Sequence, residues 1–227
     1  MKIKSLLTVI LLFLCSTMIF SQAQKSLQPH QGKIQSIVES ANNTFYTAGD
    51  DGFVVKWLPD GTGEHFQISD LEIKLIAVSP NGTDIAVYET DGFSIHRVSE
   101  WNWKTLTRKN AKRFTDSIVS LEYSAKGTYL MAGTSSVDGM LFLDPKNKLT
   151  PLSVVKDFTG TVTVAKTGKT EKTVLMYSPQ GTLTYYNLAD GSKVQEFDCE
   201  TLLEQATLLY NNVYLVGTKN DSISIIK

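Results

Sequence analysis

Five times along the chain a turn signal is followed by a short run of β-forming residues, at nearly constant spacing. The first copy reads Asp50-Asp51-Gly52-Phe53-Val54-Val55-Lys56-Trp57. Taking Asp51 as the anchor, the corresponding positions are Asp91, Asp138, Gln180 and Asp221, separated by 40, 47, 42 and 41 residues. A repeat of this length is one supersecondary unit that cannot bury its own faces, so it must stack on its neighbours.

The local chemistry says what the unit is. Asp51-Gly52, Asp91-Gly92 and Asp138-Gly139 are hairpin dipeptides, because glycine accepts a positive φ and aspartate bonds to the backbone just ahead of it. The runs after the turns, Phe53 to Trp57, Phe93 to Val98, Met140 to Leu143, Thr182 to Tyr186 and Ser222 to Ile226, read as third strands. Middle strands precede the turns at Phe45 to Ala48, Asp84 to Tyr88, Tyr129 to Ala132, Val174 to Tyr177 and Val213 to Val216. Before those lie innermost strands at Ile34 to Glu39, Lys74 to Ser79, Ile118 to Ser124 and Thr161 to Lys166. No ten-residue stretch of the mature chain carries a helical period. The expected fold is therefore an all-β propeller of four-stranded antiparallel blades, about five in this chain, with a truncated seven- or eight-bladed type as the other reading.

With 227 residues and 42% apolar content, the chain suits one domain, expected over residues 24–227. Residues 1–23 read as a signal peptide: Lys2 and Lys4, an apolar run from Leu6 to Phe20, then Ser21-Gln22-Ala23. The run is short for a membrane span. Cleavage near Ala23 implies a secreted or periplasmic protein with no stable membrane span, an uncleaved anchor being the rival reading. Lipid attachment at Cys15 is disfavoured by the bulky Leu14 before it. Cleavage removes Cys15 and leaves Cys199 alone, so no internal disulfide is expected. The net charge of −1 becomes −3 when Lys2 and Lys4 are lost, and no basic stripe suited to nucleic acid emerges.

At the first repeat the residues resemble a known family. His30-Gln31-Gly32-Lys33-Ile34, then Tyr46-Thr47-Ala48-Gly49-Asp50-Asp51-Gly52 running on to Trp57, resembles a WD-repeat blade. The resemblance implies a hydrogen-bonded relay of His30, Thr47, Asp51 and Trp57, and a domain that recruits proteins or peptides. It covers most of the chain by period and one blade by motif. Six residues after the later anchors stand Arg97, Asp144, Tyr186 and Lys227. The resemblance also implies that an N-terminal strand, here from Lys25 to Pro29, completes the final blade. A ring left open would expose a sheet edge and invite self-association.

His30, His65 and His96 lack the spacing of a zinc site, so no metal and no cofactor are expected. Asp50, Asp51, Glu89, Asp91 and Asp138 recur in turns and gather near one face of a closed ring. Turn chemistry already accounts for them. As catalysts they would make the alternative function, a hydrolase or lyase acting on an exported sugar or lactone near the central channel. The segment least explained by structure is Glu100-Trp101-Asn102-Trp103, followed by Arg108, Lys109, Lys112 and Arg113. It reads either as one face of an outer strand or as an exposed aromatic patch beside a basic one. The second reading makes Trp101, Trp103 and the basic run the partner-binding surface of a non-catalytic protein–protein interaction scaffold.

Overall fold

The computed structural model describes residues 30–40, 43–136, 138–156, 164–178, 181–199, 202–203, 205–209, 214–220 and 222–226. Among these there are strands and turns and no helix. The expected leader, the segment Lys25 to Pro29 and the anchors Gln180 and Asp221 lie outside the described residues.

Blade one is β1 (Ile34–Glu39), β2 (Phe45–Gly49), β3 (Phe53–Trp57) and β4 (Gly63–Gln67), paired in that order from inside to outside. Blade two repeats it with β5 (Glu72–Val78), β6 (Asp84–Thr90), β7 (His96–Asn102) and β8 (Thr107–Phe114). Blade three is β9 (Ile118–Tyr123), β10 (Leu130–Thr134), β11 (Met140–Asp144) and β12 (Thr150–Val155). Blade four is β13 (Val164–Thr167), β14 (Thr173–Ser178), β15 (Thr182–Asn187) and β16 (Lys193–Asp198). Blade five shows three strands among the described residues, β17 (Gln205–Leu209), β18 (Tyr214–Lys219) and β19 (Ser222–Ile226). The molecule is a five-bladed propeller whose pairings are all antiparallel.

The turn glycines expected from the sequence are required by packing in blades one and three. Gly52 has φ 76°, and a Cβ there would sit 1.9 Å from the Ser69 carbonyl oxygen; at Gly139, φ 67°, it would meet the Val155 carbonyl at 2.1 Å. Blade two departs from this. Gly92 has open space around it, and residues 91 to 95 form a longer loop capped by Asp91. The third strand of blade two therefore starts at His96, not Phe93, and Phe93 is 90% exposed.

Side chains on alternate strand positions fill the spaces between blades. Tyr46, Ala48 and Val54 of blade one meet Ile76, Ile85 and Val87 of blade two. Tyr88 and Val98 meet Leu121, Tyr123 and Leu130 across the next interface. Met131, Phe142 and Val155 meet Val174 and Met176, and Leu175 and Tyr177 meet Leu208 and Leu215. These four cores join five blades in series. Among the described residues no comparable core joins blade five to blade one. There, Ile37 on β1 is 68% exposed and Ile223 on β19 is 76% exposed. The innermost strands of all five blades nonetheless surround one central opening of about 760 Å³, lined by Ser36, Leu75, Glu122, Lys166 and Thr207 among others.

Candidate functional site

His30 stands just before β1, Thr47 points from β2, Asp51 sits in the β2–β3 turn, and Trp57 ends β3. The structure brings all four together. The Trp57 indole N–H donates to Thr47 Oγ1 at 3.0 Å, and Thr47 Oγ1 lies 2.8 Å from His30 Nε2. His30 Nδ1 is 3.1 Å from both carboxylate oxygens of Asp51. A neutral imidazole protonated at Nδ1 satisfies the whole chain: the Thr47 hydroxyl donates to Nε2, and Nδ1–H donates to the carboxylate. Asp51 also accepts the N–H groups of Gln31, at 2.8 Å, and Phe53, at 3.1 Å. Asp50 accepts the Lys33 N–H at 2.6 Å. The entering chain is thus clamped to the turn.

Burial pushes the Asp51 carboxyl up, but the hydrogen bonds from His30, Phe53 and Gln31 together outweigh it and hold the group below its ordinary value. A depressed carboxyl contributes stability that is present at neutral pH and is lost as pH falls from about 4 through the lowered value. Acid titration of the wild-type chain against Asp51→Asn is expected to show a flatter profile for the variant below that pH. Thr47→Val keeps the shape and strands both the Trp57 N–H and His30 Nε2. It is expected to cost about 1–3 kcal/mol in urea unfolding; an unchanged midpoint would remove the relay from the stability of blade one.

Strand registers show which residue of blade two corresponds to Trp57. Trp57 pairs with Phe45 and Trp101 pairs with Ile85, and Phe45 and Ile85 hold the same place relative to β1 and β5. The counterpart of Trp57 is Trp101, displaced from position 97 by the longer loop. In place of Thr47 stands Val87, so the Trp101 indole turns to Ser99 Oγ at 2.8 Å. Ser99 donates in turn to Glu89, which also receives Arg97. Spacing conceals this second relay of Trp101, Ser99, Glu89 and Arg97, because its tryptophan lies ten residues beyond the anchor Asp91.

The same displacement corrects the expected aromatic patch. Trp101 and Trp103 are not on an outer strand, nor do they form an exposed pair. Trp101 is half-buried on β7 against Phe66. Trp103 is 9% exposed, lies edge-on to Tyr46 at 5.2 Å, and donates its indole N–H to Glu64 at 3.3 Å. Alternation along a strand with an extra loop residue set is indistinguishable in sequence from alternation toward solvent.

The basic residues do lie on the outer strand, β8. The Arg108 guanidinium sits over the Trp101 ring at 5.8 Å, and Lys112 over Phe114 at 5.7 Å. Arg113 is exposed. Lys109 bonds Asp84 at 2.8 Å and lies 3.5 Å from Glu100. Glu100 is buried and accepts the Tyr123 hydroxyl at 2.9 Å and the Asn110 amide at 2.6 Å. Burial, then the neighbouring Glu100 charge, raises the Tyr123 phenol well above its ordinary value, which keeps it a donor.

Of the carboxylates considered as catalysts, Asp50, Asp51, Glu89 and Asp91 are engaged where they stand, and Asp138 is exposed in its turn. Asp91 accepts the N–H groups of Phe93, Ser94 and Ile95, each at 2.9 Å, and those bonds, led by Ile95, hold it below its ordinary value. Glu89 is not in a turn but on β6, 1% exposed. His65 is exposed on β4, and His96 Nδ1 is 2.8 Å from the Tyr88 hydroxyl. Among the described residues no three His, Cys, Asp or Glu side chains converge as a metal site. Cys199 follows β16, and burial followed by the Asp198 charge raises its thiol.

Residues 16–227 match the family described as an N-terminal beta-propeller domain. Over 197 residues, 86% of this chain, the sequence is 36% identical to a protein of Treponema pallidum (strain Nichols) described as uncharacterized. The match covers 32% of that protein, so the chain spans about a third of the length of this relative.

Proposed function

The chain belongs to the family of that N-terminal beta-propeller domain, and from this premise we propose that it is an exported, non-catalytic interaction scaffold of WD-repeat-like character. The observation that carries this reading is the state of the acidic residues. Asp50, Asp51, Glu89 and Asp91 each spend their oxygens on backbone N–H groups or on a buried side-chain partner. Those bonds give each of the four a structural role that calls for no glycoside or lactone chemistry. The WD-like character rests on the relay of His30, Thr47, Asp51 and Trp57, and export on the leader pattern of residues 1–23.

Rigid blades that present loops and outer strands on several sides suit the recruitment of a protein or peptide partner. The basic face of blade two, with Arg108, Lys109, Lys112 and Arg113, is the surface assigned to it, and Trp101 and Trp103 support that face from beneath. Asp51→Asn and Asp91→Asn test the reading together. They are expected to lower the unfolding midpoint and leave partner recovery from an envelope extract unchanged. Loss of a defined turnover on a sugar or lactone panel, in variants that remain folded, would replace this reading with the hydrolase or lyase alternative.

A further inference from the structure

The outer strands of the blades differ sharply in charge. Strand β4 carries Glu64 and His65, β12 carries no ionisable side chain, and β16 carries Lys193, Glu196 and Asp198. Strand β8 reads Thr-Arg-Lys-Asn-Ala-Lys-Arg-Phe, with Arg108, Lys109, Lys112 and Arg113 and no acid, in a chain whose net charge is −1. At eight residues it is longer than any other described strand, and it pairs with β7 on one side while its other edge ends the sheet.

Of these four cations, only Lys109 takes part in an ion pair among the described residues. The register places the rest on both sides of the strand. Arg108 and Arg113 lie opposite Trp101 and Arg97, on the blade-one side, and Lys112 lies opposite Val98, on the blade-three side. At the start of β8 this track meets a groove of about 540 Å³ between blades one and two, lined by Phe66, Trp103, Leu106, Lys56, Lys104 and the carboxylate Glu64, which pairs with Lys56. Leu106 is a 42% exposed apolar side chain beside that groove.

An unpaired strand edge offers main-chain donors and acceptors at strand spacing, and an extended peptide can add to it. A row of like charges decides which peptide. It repels a second basic edge, including that of another copy of this chain, and favours an edge of opposite sign. We propose that the free edge of β8 receives an acidic, extended polypeptide segment as a fifth strand of blade two, with the groove at Trp103 and Leu106 accepting an apolar side chain at one end. Carboxylates on either side of the added strand then meet a cation, because both sides of β8 carry one. This inference rests on the scaffold reading and names the chemistry of its partner.

The test uses a fluorescent synthetic peptide, as long as β8, in which glutamate alternates with valine. Binding to the chain is read by anisotropy. Arg108→Gln combined with Arg113→Gln changes two exposed side chains and is expected to weaken binding about tenfold or more. Two further peptides carry backbone N-methyl groups on alternate sets of residues. Edge pairing uses every second amide, so one methylated peptide is expected to lose binding and the other to retain it within about twofold. Equal effects of the two methylations would reduce the contact to charge alone and overturn the proposal. So would absence of peptide binding, or equally tight binding of single-stranded DNA of matched charge, which would assign the strand to nucleic acid. Absence of peptide binding with a protein partner still recovered, and cross-linked elsewhere, would overturn the β8 inference and leave the scaffold reading in place.

Discussion

Phe142→Ala is expected to destabilise the chain by about 3–5 kcal/mol in urea unfolding, with little change in slope. Phe142 is fully buried on β11, edge-on to Tyr129 at 6.0 Å, in the core shared with Val174 and Met176 of blade four. Two hydrogen-bonded sheets form the walls of that site. They cannot close over a missing ring as a loop could, so the lost transfer energy and the cavity term both count. Ile37→Ala is the matched control: Ile37 is mostly exposed on the unpacked side of blade one, and its loss is expected to change stability by no more than about 0.5 kcal/mol. Similar losses in the two variants would mean that burial between blades does not hold the propeller together.

Glu89→Ala is the second large effect, expected at about 3 kcal/mol. The carboxylate is buried on β6 and binds the Arg97 guanidinium and the Ser99 hydroxyl. Removing it leaves a charge in the protein interior with its main partner gone, and Arg97 Nε already lacks one. Breaking a buried pair costs about 3–5 kcal/mol; the value here falls at the low end because the Arg97 side chain keeps some contact with water. The double variant Glu89→Leu with Arg97→Met is expected to recover most of the loss, since an apolar pair needs no partner. If the double variant proved weaker than Glu89→Ala, the pair would not be acting as a unit.

These effects also show why the sequence disclosed some features and concealed others. The spacing of the Asp-Gly turns revealed the blades because a tight hairpin needs glycine at a fixed place, and at Gly52 and Gly139 there is no room for any other residue. The first relay was legible because His30, Thr47, Asp51 and Trp57 all keep the expected spacing. The second was not, because a loop capped by Asp91 moves Trp101 four residues along while the register of β6 and β7 stays the same. The inner strand β17 and the outer strands β8 and β12 follow no turn dipeptide of that kind, so the period implied them without locating them; β4 and β16 do follow one, Asp60-Gly61 and Asp190-Gly191, which lie outside the five anchors. The burial of Trp103 depends on Tyr46 and Phe66 of the neighbouring blade, a contact that no pattern within one repeat contains.

Sequence and structure together describe a propeller whose acidic turns hold its blades and whose basic outer strand faces outward. Cross-linking mass spectrometry of the chain in an envelope extract tests that account most directly. The expected result is a recovered protein partner joined through lysines of blade two, Lys104, Lys109 or Lys112, with the same yield in folded Asp51→Asn and Asp91→Asn variants. Recovery of no partner, together with a substrate conversion that those two substitutions abolish, would contradict it.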